Sequence, residues 1–278
     1  MITVVIQGGL GNQMFQFAAA YALARTRGVD LQLDISSYAR QSPHQGFELD
    51  RLFSIAPHAR ISATDFARRG RVGAYLERCL RGPRYTEPDF FAVQDLSILP
   101  MSVILDGFWQ SERYFSAHAD AIRALYQFVP APQLDERLQV YTDRPLVSLH
   151  VRRGDYYSAH SAALHGVPLQ AYYAQAVASF RGWLHHPRFM IFSDDLDFAA
   201  STFQGKDFVI VDWNRGQDSY RDMYLMSRCE GHILANSTFS WWGAWLNKRV
   251  DKRVIAPRRW FAKDPQPQHL IPESWVLI

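Results

Sequence analysis

The sequence has almost no cysteine: Cys79 and Cys229 are the only two among 278 residues. That excludes a disulfide framework, and with no cysteine–histidine cluster nothing suggests a structural zinc. Long apolar runs are missing too. None reaches the roughly 20 residues that cross a bilayer. Met1 leads straight into Ile2-Thr3-Val4-Val5-Ile6, without the basic region and cleavage site of a signal peptide. The net charge of +3 is too small to argue for nucleic acid as a partner. No repeat of fixed period and no low-complexity segment is found. The expectation is a cytosolic globular protein, 48% apolar, 21% charged and rich in aromatics at 14%. Its length suits one large or two small domains.

Ile2 to Ile6 reads as a buried parallel strand. Gln7-Gly8-Gly9-Leu10-Gly11-Asn12 follows, then a helix over Gln13 to Arg27 with Met14, Phe17, Ala18 and Tyr21 as its apolar stripe. A strand, a glycine turn and a helix bring backbone N–H groups and the positive end of a dipole toward an anion. Gly9-x-Gly11, with Asp34 ending the next strand (Leu31 to Asp34), imitates a dinucleotide fingerprint. Met14 stands where its third small residue belongs, which weakens a reading as a nicotinamide oxidoreductase. Tyr38 to Phe66 gives little signal. Phe66 to Arg84 sets Arg68, Arg69, Arg71, Arg78, Arg81 and Arg84 around Tyr75 and Leu80. Such a stretch can meet an anionic membrane surface, but a solvated helix face is the plainer reading. Ser102 to Asp106 is a strand leading into Gly107-Phe108-Trp109-Gln110-Ser111-Glu112, which suits a sugar hydroxyl as well as a packed aromatic turn. A helix over Ala119 to Phe128 stops at Val129-Pro130-Ala131-Pro132. The domain boundary is expected between Pro132 and Pro145, dividing the chain into 1–138 and 139–278.

The second half repeats a strand–helix rhythm, which argues a parallel sheet. Strands are expected at 146–151, 188–193, 207–212, 231–235 and 253–256. The intervening helices open at Pro168, Gln217 and Phe239, the first with Tyr172, Tyr173, Ala176, Val177 and Phe180 inward. The first strand continues into Arg152-Arg153-Gly154-Asp155-Tyr156-Tyr157. Alternation puts Val147, Leu149 and Val151 on one face and Ser148, His150 and Arg152 on the other. Open α/β sheets bind ligands beyond the carboxyl ends of their strands. A guanidinium there can grip a diphosphate with two parallel hydrogen bonds; the bland reading bridges the arginines to Asp155. A second strand end carries Asp194, whose carboxylate can accept from the adjacent N–H donors of guanine or cap the next helix. A third carries Asn236-Ser237-Thr238 before Phe239-Ser240-Trp241-Trp242, a potential anion site or an ordinary cap. Asp195-Leu196-Asp197 imitates a metal-binding motif. It reads better as acidic residues in a first helical turn.

Taken together, these motifs resemble those of the bacterial α-1,2-fucosyltransferases, in the family that includes the blood-group H enzymes. The carriers are Gly8-Gly9-Leu10-Gly11-Asn12-Gln13, Gly107-Phe108-Trp109-Gln110-Ser111, His150-Val151-Arg152-Arg153-Gly154-Asp155, Phe192-Ser193-Asp194-Asp195 and Asn236 to Trp245, in family order. The resemblance implies an α/β, GT-B-like fold of two Rossmann-like domains facing each other across a cleft. Residues 1–138 would form the acceptor side, and 139–278 would hold the donor GDP-β-L-fucose. It implies inverting, metal-independent transfer of fucose to the 2-hydroxyl of a terminal galactose, in lactose or an O-antigen galactoside, with no cofactor. Arg152, His150 and Asn12 would carry catalysis. Arg152 would contact the diphosphate, and His150 the donor. Ser237, Thr238 and Phe239 would hold the phosphate and fucose side, and Asp194 the guanine. Gly11 and Asn12 would lie at the reacting centre. Gly9, Asp155, Asn236 and Ser240 complete the expected donor set.

No base for the acceptor proton stands out; Asp34, Asp106, Glu112 and Asp155 are the candidates. The remaining rivals are a GDP-fucose-dependent fucosyltransferase of another linkage or acceptor and a non-catalytic sugar- or nucleotide-binding module. The membrane anchor and stem of the animal enzymes are not expected, and the expected location is cytoplasmic, with room for peripheral contact with the inner membrane.

Overall fold

The computed structural model describes residues 1–39, 45–66, 70–153, 167 and 169–278. The chain divides into two compact units, Met1–Val129 with Pro267–Pro272, and Pro130–Gln266 with Glu273–Ile278.

Unit 1 is built on β1 (Ile2–Val5), α1 (Leu10–Arg27), β2 (Leu31–Asp34), α2 (Leu49–Leu52), β3 (Arg60–Ser62), α3 (Gly70–Arg81), β4 (Arg84–Thr86), β5 (Val103–Asp106) and α4 (Ala119–Leu125). Its strands form one parallel sheet in the order β3-β2-β1-β5-β4. β1 and β5 are apolar except for Thr3 and Asp106, and buried except at their last residues, because the central strands are covered on both faces. α1 begins at Leu10, three residues before the expected start. It is buried from Leu10 to Ala24 except at Asn12, so its apolar surface wraps the helix rather than forming a stripe. It ends at Gly28, whose φ of 63° provides the left-handed cap.

The arginine-rich stretch around α3 is not uniformly solvated. Arg81 is buried and pairs with the buried Asp34 at 2.5 Å, donates to Ser62 Oγ at 3.1 Å and lies 4.7 Å from the centre of the Phe66 ring. Arg84 pairs with Glu77 and with Asp106. On the outer side of α3, Val72, Tyr75 and Leu80 are exposed beside Arg71 and Arg78. Arg68 and Arg69 lie outside the described residues.

Unit 2 contains α5 (Pro132–Gln139), β6 (Leu146–Val151), α6 (Gln170–Trp183), β7 (Arg188–Ser193), α7 (Leu196–Thr202), β8 (Phe208–Val211), α8 (Tyr220–Ser227), β9 (Gly231–Ile233), α9 (Thr238–Leu246), β10 (Arg253–Ala256) and β11 (Val276–Leu277). The sheet is parallel, in the order β11-β10-β9-β6-β7-β8. Val147, Leu149 and Val151 pack with Tyr172, Tyr173, Ala176, Val177 and Phe180 of α6, as their alternation requires. The opposite face packs Leu146, Met190 and Phe192 against Leu225 and Met226. Two glycines permit close approaches. A Cβ on Gly231 would lie 2.3 Å from the Phe180 ring, and one on Gly243 would lie 2.9 Å from Met226 Cβ. A polar chain crosses this core: Ser148 Oγ lies 2.9 Å from His232 Nδ1, and Asn247 Nδ2 lies 2.8 Å from His232 Nε2. Asn247 Nδ2 also donates to the Cys229 carbonyl, so His232 Nε2 accepts and Nδ1 carries the proton. Burial holds this imidazole neutral, with its pKa lowered to about 3.

The division falls at 129/130 rather than 138/139. Leu134 and Leu138 of α5 are buried with Leu146, Met190 and Leu225, so α5 belongs to unit 2. Pro267–Pro272 returns to unit 1, where the His269 carbonyl accepts from Ser111 Oγ at 2.8 Å.

Candidate active site

In an open parallel sheet the chain order reverses at a switch point, and ligands bind beyond the strand ends there. In unit 2 that point lies between β6, which continues to β7, and β9, which flanks β6 on its other side. His150 stands near the end of β6 and Arg152 in the loop that leaves it, while Asn236 to Ser240 span the loop after β9 and the first turn of α9.

His150 is 6% exposed, and its Nδ1 has no hydrogen-bond partner among the described residues. Its carbonyl accepts from Tyr173 Oη at 3.0 Å, and its ring lies 5.8 Å from that of Phe239. Burial, with Arg152 adding repulsion, lowers its pKa to about 3, so the ring is neutral. A buried nitrogen without a partner costs about 1–3 kcal/mol, and such groups concentrate at binding sites.

Arg152 pairs with Asp194 at 3.1 Å, each side chain about a quarter exposed. The other Asp194 oxygen accepts the Arg153 N–H at 2.8 Å. Asp194 therefore ties the β7 loop to the β6 loop; Asp155, the partner expected in the bland reading, lies outside the described residues. Arg153 turns to the opposite side, as alternation required. It pairs with Asp195 and stacks on Phe198 at 3.8 Å. The helix cap after β7 is Asp195, which accepts the Phe198 N–H, and Asp197 sits in the first turn of α7. Among the described residues, no group of three or more histidine, cysteine or acidic side chains is placed to hold a metal ion.

At the third loop, Ser237 caps α9 by accepting the Phe239 N–H at 3.3 Å. Ser240 Oγ donates back to the Ser237 carbonyl at 3.2 Å. The buried Asn236 donates to the Trp260 carbonyl and anchors the loop. Thr238 opens the helix and Phe239 reaches His150. The ordinary cap is thus present, and it presents the start of an apolar, buried helix beside His150. Sequence reasoning missed Asp222 in the first turn of α8. Asn214 Nδ2 holds its carboxyl at 2.7 Å, and burial raises its pKa to about 7.

In unit 1 the switch point lies between β1 and β5. The glycine the backbone requires there is Gly8, at φ 78°; Gly9 occupies the cap position of α1, and Gly11 is buried in its first turn. The Gly8 carbonyl accepts from Gln13 Nε2 at 3.1 Å and Tyr38 Oη at 2.6 Å. Asn12 Oδ1 accepts from Gln110 Nε2 at 2.9 Å, which joins the β1 and β5 loops. Two base candidates are committed elsewhere: Asp34 to the buried pair with Arg81, and Asp106 to Arg84. Glu112 lies in the short turn Glu112–Tyr114. Glu87, which sequence reasoning passed over, follows β4, and its Oε2 accepts the Phe108 N–H at 2.8 Å and the Trp109 N–H at 3.4 Å.

Known proteins resemble this chain along nearly its whole length. An α-1,2-colitosyltransferase of Escherichia coli is 32% identical over 292 aligned residues, covering 100% of this chain and 99% of that protein. An O-antigen biosynthesis glycosyltransferase of the same species, WbnK, is 33% identical, with 98% of each chain covered. A galactoside 2-α-L-fucosyltransferase of Bos taurus is 27% identical over 88% of this chain and 64% of its own. Among solved structures, the NodZ α-1,6-fucosyltransferase soaked with GDP-fucose matches with a TM-score of 0.51 at 17% identity, over 88% of this chain and 92% of that one. An Arabidopsis thaliana FUT1 variant in complex with GDP gives 0.52 at 14%, over 99% and 75%. These two likenesses show a shared GT-B-type fold. The model of glycosyl transferase family 11 matches residues 1–278, and the chain belongs to that family of glycosyltransferases.

Proposed function

We propose that the protein transfers L-fucose from GDP-β-L-fucose to the 2-hydroxyl of a terminal galactose, with inversion and without a metal, in O-antigen synthesis. The observation that carries this reading is the switch point of unit 2. There a buried His150 nitrogen with no partner among the described residues, the Arg152 guanidinium and the start of α9 surround one strand end. Such a set suits a nucleoside diphosphate.

In the proposed reaction the acceptor hydroxyl attacks the fucose anomeric carbon opposite the departing GDP. The centre passes through an oxocarbenium-like state, as in glycoside hydrolysis. Negative charge grows on the diphosphate as the bond breaks. Arg152 and the N–H groups at the start of α9 therefore stabilise the transition state more than the ground state. One preorganised donor of this kind is worth about 3 kcal/mol, roughly a hundredfold in rate. Asn12, held by Gln110, is assigned to the acceptor side of the reacting centre.

The deciding experiment incubates the purified protein with GDP-fucose and lactose in EDTA, following GDP release and the product linkage by NMR. An α-1,2-fucosylated product in EDTA supports donor, linkage and metal independence together, and Arg152→Ala should reduce its formation about a hundredfold or more. No turnover with Arg152 intact, and no GDP binding, would refute the donor assignment. The similar colitosyltransferase favours one second reading, in which the same site takes a colitosyl donor. Competition between the two donors separates them. The exposed Val72, Tyr75, Leu80, Arg71 and Arg78 of α3 support a further part of the proposal, a cytoplasmic protein in peripheral contact with an anionic inner-membrane surface. No described helix is long and apolar enough to cross a membrane.

A further inference from the structure

We infer that Glu87 is the base that takes the proton from the acceptor hydroxyl. The inference rests on the glycosyl transfer proposed above. Glu87 follows β4, next to the loop that leaves β5. Its backbone N–H donates to the Asp106 carbonyl at 2.8 Å. Its carboxylate lies against Gly107 so closely that a Cβ on that glycine would meet Glu87 Cβ at 2.4 Å and Oε2 at 2.8 Å. The glycine is what admits the carboxylate to this position.

Hydrogen bonds fix the side chain through one oxygen only. Oε2 accepts the Phe108 and Trp109 N–H groups, and among the described residues Oε1 accepts none. Among the described residues no arginine or lysine pairs with it, in contrast to Asp34 and Asp106. The same loop continues through Gln110 to Asn12, so Glu87 and Asn12 are held by one stretch, Gly107 to Gln110. Phe90 and Phe108, with ring centres 6.4 Å apart, and His269, 6.5 Å from Phe90, add aromatic surface of the kind that stacks on sugars.

The titratable groups around Glu87 are Asp89 on its own loop and Tyr114 of the turn at 112–114, while Asp89 and Arg113 both act on His269. Burial raises the Glu87 pKa above the usual glutamate value and Asp89 adds to the rise, against the two N–H groups. That direction suits a base working near neutrality. In the step proposed, Oε1 takes the proton as the acceptor oxygen bonds to the anomeric carbon. The bond from that carbon to the phosphate oxygen breaks, and its electron pair leaves with GDP.

The test compares wild type with Glu87→Gln, which keeps an oxygen for the Phe108 N–H but cannot take a proton. Turnover is measured against pH, and GDP binding by calorimetry. The expected result is a wild-type rate that falls on the acid side. Glu87→Gln should turn over about a hundredfold or more slower, without that acid limb, and with GDP affinity within twofold of wild type. Glu87→Asp should keep the limb at a reduced rate, and it serves if the amide variant does not fold. A Glu87→Gln enzyme near the wild-type rate overturns the inference. So does a slow one that retains the acid limb, which would make Glu87 only a clamp for the loop. A wild type that transfers no sugar fails at the proposed function instead, so the two failures are distinct.

Discussion

Replacing His150 with leucine should make the protein more stable and less able to bind nucleotide. His150 sits at the end of β6 with 6% exposure and an Nδ1 that no described residue satisfies. An unpaired buried polar group costs about 1–3 kcal/mol. Leucine is close in volume and removes that cost, at the loss of a ring contact with Phe239 at 5.8 Å. The expected net gain is about 1 kcal/mol, which raises Tm by about 2–4 °C for a unit of this size. If the nitrogen serves the charged donor, its removal should weaken GDP binding by about 1.5–3 kcal/mol, or roughly 10- to 150-fold. Thermal unfolding without nucleotide measures the first effect and titration calorimetry with GDP the second. The reasoning fails if His150→Leu melts below wild type, or if its GDP affinity stays within twofold.

Asp34→Asn should cost about 1.5–3 kcal/mol because it removes the nearer carboxylate from the buried Arg81 and leaves Glu77 at 3.5 Å, while Asp34→Asn with Arg81→Met should recover most of that loss; denaturant midpoints of the three proteins decide it. Asp222, whose pKa is raised to about 7, binds protons in the folded state between roughly pH 4 and 7 that the unfolded state has released, so its contribution to stability is present below that window and lost as pH rises through it. Asp222→Asn should therefore stabilise by about 1–3 kcal/mol at pH 8 and by less at pH 5, and an equal effect at both pH values would contradict the assigned burial. Val72, Tyr75 and Leu80 of α3 are 67%, 69% and 66% exposed beside Arg71 and Arg78, with Glu77 turned inward to Arg84. The protein should cosediment with anionic vesicles at low salt at about 1 kcal/mol per arginine, and Val72→Ser with Leu80→Ser should reduce the bound fraction; no sedimentation by wild type removes the membrane assignment.

The central strands and the helices that cover them were legible because their apolar residues are uninterrupted or correctly spaced. β2, β7 and β10 have the expected bounds, and the inward face of α6 is the expected one. The edge strands were not legible. Arg60–Ser62 and Arg84–Thr86 are three residues each and mostly exposed, too short for an alternation to stand out. Arg81 was read as part of a basic surface because charge spacing does not reveal a buried acid 47 positions earlier. Glu87 was missed for a related reason. Nothing local marks a glutamate whose meaning comes from the missing Cβ of Gly107.

The pair between Arg152 and Asp194 reconciles the two roles proposed for them, which otherwise compete. Each side chain is about a quarter exposed, and the contact is 3.1 Å. An ion pair this accessible is worth only about 0–1 kcal/mol, because water screens it and two side chains must be ordered. A diphosphate carries more negative charge than one carboxylate and matches the guanidinium fork with two hydrogen bonds. It can therefore replace Asp194 on Arg152 at little cost. Asp194 would keep the Arg153 N–H, so the β7 loop stays anchored while, in the proposed complex, its second oxygen turns from Arg152 to the adjacent N–H donors of guanine. The exchange predicts that Asp194→Asn and Arg152→Ala are not additive in GDP affinity, since each removes part of one switch. A double-mutant cycle that adds within about 0.5 kcal/mol would mean that the two residues meet the nucleotide independently.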